Sequence, residues 1–306
     1  MNSEPLTQAD PKVAGTGLPA TVDRSGSDPA PLPGLHLPIC ATCGTQFQAS
    51  DSFPGSCPIC TDSRQYVGHG GQRWTTLAEL RTTHRNILRE QETNLWGMGI
   101  EPSFGIGQRA LLVQTTKGNV LWDCISLLDD ATVAAVKKLG GLAAIAISHP
   151  HYYSAMVEWS RAFGGAPIFL HADNRPFVVR PDRAIEFWEG EQFPVQPGLT
   201  LIRTGGHFEG FQVLHWADGA EGRGVLLSGD QPYVASDRQW VSFMYSYPNL
   251  IPLNAPAIQR ILRSLEPYSY DRIYGAWWPS IVTADGKQAV ARSAERYLQA
   301  IGPGLA

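Results

Sequence analysis

The chain has 306 residues, 43% of them hydrophobic and 17% charged, with a formal net charge of −4. That length buries a substantial core and suits one large domain with an appendage, while the acidic balance argues against a general nucleic-acid or anionic-membrane surface. No apolar run reaches bilayer-spanning length, and the N-terminus lacks the basic segment and apolar core of a secretory signal, so no membrane partner and a cytoplasmic location are expected.

Residues 1–36 are rich in Pro, Gly, Ser and Thr and lack apolar periodicity, as in Pro29-Ala30-Pro31-Leu32-Pro33-Gly34. Such a stretch cannot bury enough surface to offset its ordering entropy, so a disordered tail is expected. Residues 37–66 carry Cys40-Ala41-Thr42-Cys43 and Cys57-Pro58-Ile59-Cys60, a C-x2-C-x13-C-x2-C array. Two such knuckles bring four thiolates to one tetrahedral centre, the arrangement of structural Zn2+. In a chain without an export signal they read as ligands, not disulfides. A patch this small has no other core, so the ion is expected to carry its folding energy. The module resembles a zinc ribbon, and also the rubredoxin-like modules that bind iron. Gly44 follows the first knuckle as in rubredoxins, but Thr61 follows the second, which favours zinc. Almost no Lys or Arg lies in the module, so nucleic acid is not an expected partner, and a protein partner docking on it is the alternative.

The main domain is expected over residues 67–306. Thr75–Glu92 predicts a helix with Leu77, Leu80, Ile87 and Leu88 as its apolar stripe. Arg109–Thr115 and Gly118–Asp123 predict two strands around a Lys117-Gly118-Asn119 turn. Asp129–Leu139 predicts an amphipathic helix begun by Asp129 or Asp130 and stopped by Gly140. Leu142–Ile147 is a short apolar run bounded by Gly140-Gly141 and reads as a buried strand. A helix over Ala155–Phe163 and a strand over Ala166–Leu170 follow. Strands are then expected in Leu199–Arg203, Phe211–Trp216 and Gly224–Leu227, a helix in Ala255–Leu265, a strand in Arg272–Tyr274 and a last helix in Lys287–Leu298. Hairpins followed by strand–helix alternation, given twice, predict two sheets packed between helices.

Ser148-His149-Pro150-His151 directly follows the buried strand. In extended chain, residues two apart point to the same side, so His149 and His151 can converge on one ion. Pro150 fixes its own φ and pushes His149 into the extended region. Three further segments join the pair: Leu121-Trp122-Asp123-Cys124 at an earlier strand end, Thr204-Gly205-Gly206-His207 between two strands, and Leu226-Leu227-Ser228-Gly229-Asp230 ending an apolar strand.

In this order of motifs, over roughly residues 85–300, the chain resembles the metallo-β-lactamase fold superfamily. The resemblance implies an α/β protein with an αββα sandwich. It also implies metal ligands at His149, His151 and His207, with Asp230 as a fourth. Two departures matter. Tyr153 and Ser154 stand where the family's first motif has Asp and His. No histidine lies near Gly275-Ala276-Trp277-Trp278, where the family's late one falls. The second metal site is therefore expected to be absent, leaving one Zn2+ or Fe2+.

Three neutral imidazoles suit either ion and leave a position open for water or substrate. On Zn2+ that water has its pKa lowered towards about 7, which supplies hydroxide for hydrolysis of a small ester, thioester or lactone-type substrate. Asp230 either closes the shell or orients the water and accepts its proton. Tyr153, or Tyr152 beside it, can donate to a developing oxyanion. Two other readings stand. His149, His207 and Asp230 form the two-histidine, one-carboxylate set of non-haem Fe2+ dioxygenases. The persulfide dioxygenases of the same superfamily are similar in using one iron, although they keep the full first motif. The lost ligands also fit a non-catalytic binding protein. Among the remaining residues, Asp123 is expected to support the ligand histidines, Cys124 to be a small buried residue, and Trp277 and Trp278 to wall the pocket. His171 and His215 are expected to be structural.

Overall fold

The computed structural model describes residues 34–302. Of the expected tail, residues 34–36 open a turn closed by Leu37 N donating to Gly34 O, and the rest of that expectation lies outside the described residues. β1 (Ile39–Cys40) pairs antiparallel with β2 (Trp74–Thr75). α1 (Leu77–Thr83) follows, started by a Thr76–Glu79 capping box.

A seven-stranded sheet then forms in sequential order from β3 (Arg85–Glu92), β4 (Leu95–Glu101), β5 (Ala110–Val113), β6 (Val120–Trp122), β7 (Ala144–Ala146), β8 (Ile168–His171) and β9 (Ile185–Trp188). The pairs from β6 to β9 are parallel. Their crossovers carry α2 (Asp130–Lys138) and α3 (Met156–Ala162). A six-stranded sheet follows, built from β10 (Gln192–Gln196), β11 (Leu199–Arg203), β12 (Gln212–Trp216), β13 (Val225–Gly229), β18 (Arg272–Gly275) and β19 (Ile281–Val282). Between β12 and β13 lies the one-turn α4 (Gly219–Gly222). Between β13 and α5 (Ala255–Leu265) the chain makes two small ladders, β14 (Tyr233–Val234) with β15 (Val241–Ser242), and β16 (Met244–Ser246) with β17 (Ile251–Pro252). α6 (Gly286–Ile301) ends the described residues.

Alternation along the strands sets the layers. In β5, Ala110 and Leu112 join the cluster that holds Leu77 of α1, Val136 of α2 and Trp159 of α3, whereas Leu111 and Val113 face the other way. In β13, Val225 and Leu227 face Leu111 and Val113, while Leu226 packs with Ile258 of α5 and Val290 of α6. Period-two side chains on sheets buried on both faces thus give helix, sheet, sheet, helix. This αββα sandwich is the expected fold class. Among the described residues no helix is long and apolar enough to cross a membrane.

Three local expectations need correction. Thr75–Glu92 is not one helix: α1 stops at His84, whose backbone is extended, and Arg85–Glu92 pairs along its length with β4. A ladder partner outweighed local helix-forming composition. His149 is extended, but Pro150–Tyr152 is a 3-10 turn, so the two histidines do not converge as alternate residues of a strand. The cysteine segment is not coreless either. Ile39, Phe47 and Ile59 pack in the same cluster as Leu112, Leu121 and Trp159.

Candidate metal centre

Two clusters of metal-ligating side chains form among the described residues: Cys40, Cys43, Cys57 and Cys60, and His149, His151, His207 and Asp230. In each, one ligand atom per residue lies within 4.8 Å of every other. The cysteine sulfurs stand 3.6 Å apart for Cys40–Cys60 and 3.7 Å for Cys43–Cys57. A tetrahedron with metal–sulfur bonds of about 2.3 Å has edges of about 3.8 Å. Gln72 Nε2 donates to Cys40 Sγ at 3.2 Å, the kind of contact that favours a thiolate. Hydrogen bonding from Cys43 first, then from Cys57 and Cys60, pushes the Cys40 thiol well below its ordinary range. Gly44 follows the first knuckle at φ +80°, and a Cβ there would meet Ser126 Oγ at 2.3 Å.

The histidine cluster sits at the C-terminal ends of parallel strands, where α/β sheets commonly bind ligands. Asp123 follows β6, Ser148 and His149 follow β7, and Asp230 follows β13. His207 lies in the loop between β11 and β12. Gly229, at φ +60°, lets the sheets close here, since a Cβ would meet Ser148 Oγ at 2.9 Å and Asp123 Oδ2 at 3.4 Å.

The fold selects the tautomer of two imidazoles. Ser148 Oγ donates to Asp123 Oδ1 at 2.7 Å, so it accepts from His149 Nδ1–H at 2.9 Å. That leaves the lone pair of His149 on Nε2. His207 Nδ1 stands 2.6 Å from Tyr245 O, an acceptor, so Nδ1 carries the proton and Nε2 the lone pair. His207 Nε2 lies 3.2 Å from His151 Nδ1. Asp230 Oδ2 is 3.4 Å from His149 Nε2 and 3.9 Å from His207 Nε2. Burial, with the charges of His149 and His207 next, holds His151 well below its ordinary value. Burial brings His207 down to about 4. Burial opposes ionisation of Asp230, yet His149 and His207 outweigh it and keep the carboxyl below the usual range. Neutral imidazoles and a carboxylate are the forms that bind a cation.

Four buried polar atoms here have no hydrogen-bond partner among the described residues: His149 Nε2, His151 Nε2, Tyr152 Oη and Asp230 Oδ1. Such atoms are rare in native proteins and call for an explanation. Phe211 stacks on His149 at 4.8 Å, and Phe208 lies 5.0–5.5 Å from all three imidazoles, closing an apolar collar around the cluster.

Tyr153 is the expectation that geometry displaces. Its hydroxyl points to Asn174 O at 3.3 Å, because the 3-10 turn rotates it into the core. Tyr152 is the tyrosine beside His149, with ring centroids 4.4 Å apart. Ser154 Oγ bonds Cys124 O at 3.2 Å, outside the cluster. Asp123 acts on His149 through Ser148, and burial lifts its carboxyl to about 7. Trp277 stacks obliquely on Tyr233, itself 4.9 Å from Tyr247 beside His207. Trp278 instead lies on Gly97 and Gly99 of β4, away from the imidazoles. His171 accepts from Asp173 N, and His215 Nε2 bonds Ser269 O, both outside the cluster.

Sequence reasoning missed Gln231, which holds His207 from both sides. Its Oε1 accepts from His207 N at 3.0 Å and its Nε2 donates to Gly205 O at 2.6 Å. Gly206, at φ +90°, leaves room for it: a Cβ there would meet Gln231 Nε2 at 2.6 Å. The paired glycines before His207 were the only signal. Tyr247, whose hydroxyl donates to Asp230 O at 2.7 Å, left no signal at all.

No family model matches the chain. The chain is 49% identical over 269 residues to the uncharacterized protein YmaE of Bacillus subtilis (strain 168), an alignment that spans 87% of this chain and 97% of the relative. Among solved structures, TMB-1 superposes with a TM-score of 0.52 at 13% identity, over 71% of this chain and 99% of that one. A B3 metallo-β-lactamase with an active-site glutamic acid matches at a TM-score of 0.47 and 17% identity, over 68% and 86% of the two chains. The layered sheets, the strand-end histidine cluster and the likenesses to YmaE and TMB-1 agree: the chain belongs to the family of YmaE and has the metallo-β-lactamase fold.

Proposed function

We propose that the protein is a mononuclear metallohydrolase of a small ester, thioester or lactone-type substrate. His149, His151 and His207 would hold one divalent ion, with Asp230 beside it as the carboxylate that orients its water, and Cys40, Cys43, Cys57 and Cys60 would hold a structural Zn2+. The observation that carries this reading is the set of unpartnered, buried His149 Nε2, His151 Nε2 and Asp230 Oδ1 in one cluster, a donor set that fits a cation and leaves costly orphans without one. A zinc ion bound there supplies a water whose pKa falls towards about 7.

The chain's own groups then divide the work. Asp230 Oδ1 takes a proton and orients the attacking water. Tyr152 keeps its proton at neutral pH, because burial first and the Asp230 charge second push its hydroxyl well above the ordinary value. It donates to the developing oxyanion, the role expected of Tyr153 or of Tyr152 beside it. Phe208 and Phe211 exclude bulk water and strengthen those interactions. Because His151 shares the cluster, the three-histidine set is favoured over the two-histidine, one-carboxylate set of an iron dioxygenase. A cytoplasmic location and a small-molecule substrate remain part of this proposal.

Metal analysis of the purified protein is expected to find two ions per chain. His207→Ala is expected to lose one of them and the hydrolytic turnover, with the fold intact by circular dichroism. Zinc in the cysteine cluster alone, or turnover that survives His207→Ala, overturns the reading.

A further inference from the structure

The histidine cluster has no open face. His149 is 0% exposed, His207 1%, His151 3% and Asp230 4%. His149 Nε2, His151 Nε2 and Asp230 Oδ1 are each buried from water. Most of the surroundings are strand ends and aromatic rings packed in the core. One segment differs. Asp62–Gln65 starts two residues after Cys60 and belongs to no strand or helix.

Polar contacts hold this segment over the cluster. Ser63 Oγ and Tyr245 Oη are 2.6 Å apart. Ser246 Oγ donates to Arg64 O at 3.0 Å. Asn249 Nδ2 donates to Ser63 O at 3.1 Å and to Gln65 O at 3.0 Å. The Arg64 guanidinium lies 3.8 Å above the Phe208 ring, and its Nη1 donates to His207 O at 3.4 Å. Asp62 holds that guanidinium in a two-pronged pair, Oδ1 to Nε at 2.6 Å and Oδ2 to Nη2 at 2.7 Å.

We propose that Asp62–Gln65 is a strap that gates the histidine cluster, and that the metal in the cysteine cluster sets its position. The strap leaves directly from the second knuckle, where Thr61 N donates to Cys57 O at 3.0 Å. An ion that ties Cys57 and Cys60 to Cys40 and Cys43 fixes where the strap begins. Its far anchor is Tyr245, whose carbonyl also accepts from His207 Nδ1 at 2.6 Å, so lifting the strap disturbs the group that orients His207. Polar contacts of this kind are individually weak, so the strap opens locally while the two sheets stay folded. The biological purpose of the gate rests on the metallohydrolase reading, but the gate itself is a statement about access.

The test uses the full chain as wild type, Asn249→Ala, Arg64→Ala and Cys60→Ser, with metal content measured on each. In metal-loaded protein the readout is the rate at which a chelator removes the ion of the histidine cluster. In protein stripped of the histidine-cluster ion but keeping the cysteine-cluster ion, it is the rate at which diethyl pyrocarbonate labels His151 and His207, with exposed His69 as the internal reference, read by mass spectrometry. Asn249→Ala, which deletes two of the strap's hydrogen bonds, and Arg64→Ala are each expected to raise both rates about tenfold with His69 labelling unchanged. Cys60→Ser, where it folds, is expected to raise labelling further. Rates within about twofold of wild type in both single variants overturn the gate. A histidine cluster that never takes up an ion sinks the metallohydrolase reading instead, and the labelling rates still decide the gate.

Discussion

Ser148 shows how one hydroxyl can determine what an imidazole offers. It receives no charge and touches no second ligand, yet by donating to Asp123 Oδ1 it compels His149 to protonate Nδ1 and to present Nε2. Partners of this kind typically change metal affinity 10- to 100-fold. Ser148→Ala is therefore expected to weaken metal binding at the histidine cluster by about tenfold or more. It should leave the cysteine-cluster ion in place. A competition titration against a chromophoric chelator measures both at once, and unchanged affinity refutes the orienting role. The residue sits in the Ser148-His149-Pro150-His151 motif, but its role depends on Asp123, 25 residues away in sequence.

At the scale of elements, Gly97 and Gly99 of β4 and Trp278 form one packing unit. A Cβ on Gly99 would stand 2.9 Å from Trp278 Cζ2 and 3.0 Å from its Nε1. The strand therefore keeps glycine at a position where β-branched residues would otherwise favour pairing. Overpacking of this sort costs about 1–3 kcal/mol, and Gly99→Ala is expected to lower the urea midpoint accordingly. Trp278→Leu in the same chain should recover part of the loss by opening space for the new methyl. Absence of any recovery means the cost arises elsewhere. The strands that carry the site were legible from their apolar runs and glycine boundaries, as β7 and β13 show. β3 was not, because its ladder with β4 is a long-range pairing that local composition does not announce.

For the molecule as a whole, buried histidines tie stability to pH. His215 and His171 are both held below the ordinary value of 6.5, burial being the largest cause in each. Between 6.5 and their lowered values the unfolded chain binds protons that the folded chain does not. Their contribution is complete above 6.5 and is lost as the pH falls through the lowered values. The urea midpoint is therefore expected to fall as the pH drops below 6.5. His215→Gln, which can still donate to Ser269 O, should make that fall shallower, and a slope unaltered by the substitution rules out His215 as a source. The cysteine segment belongs to this scale too. Its Ile39, Phe47 and Ile59 lie in the core shared with α1 and α3, so its stability is that of the sandwich and not of an ion alone.

The sequence by itself determined the layered sandwich, the order of the strand-end motifs and the donor types in both clusters. Each of these depends on local periodicity or on the chemistry of a side chain, and both are written residue by residue. Only the tertiary structure decided which nitrogen His149 and His207 present, that Tyr152 and not Tyr153 stands at the cluster, that Gln231 clamps His207, and that Arg64 roofs it. Those depend on residues brought together across long stretches of chain, such as Ser63 with Tyr245. No spacing along the chain encodes such a meeting, because it results from how two sheets close on each other.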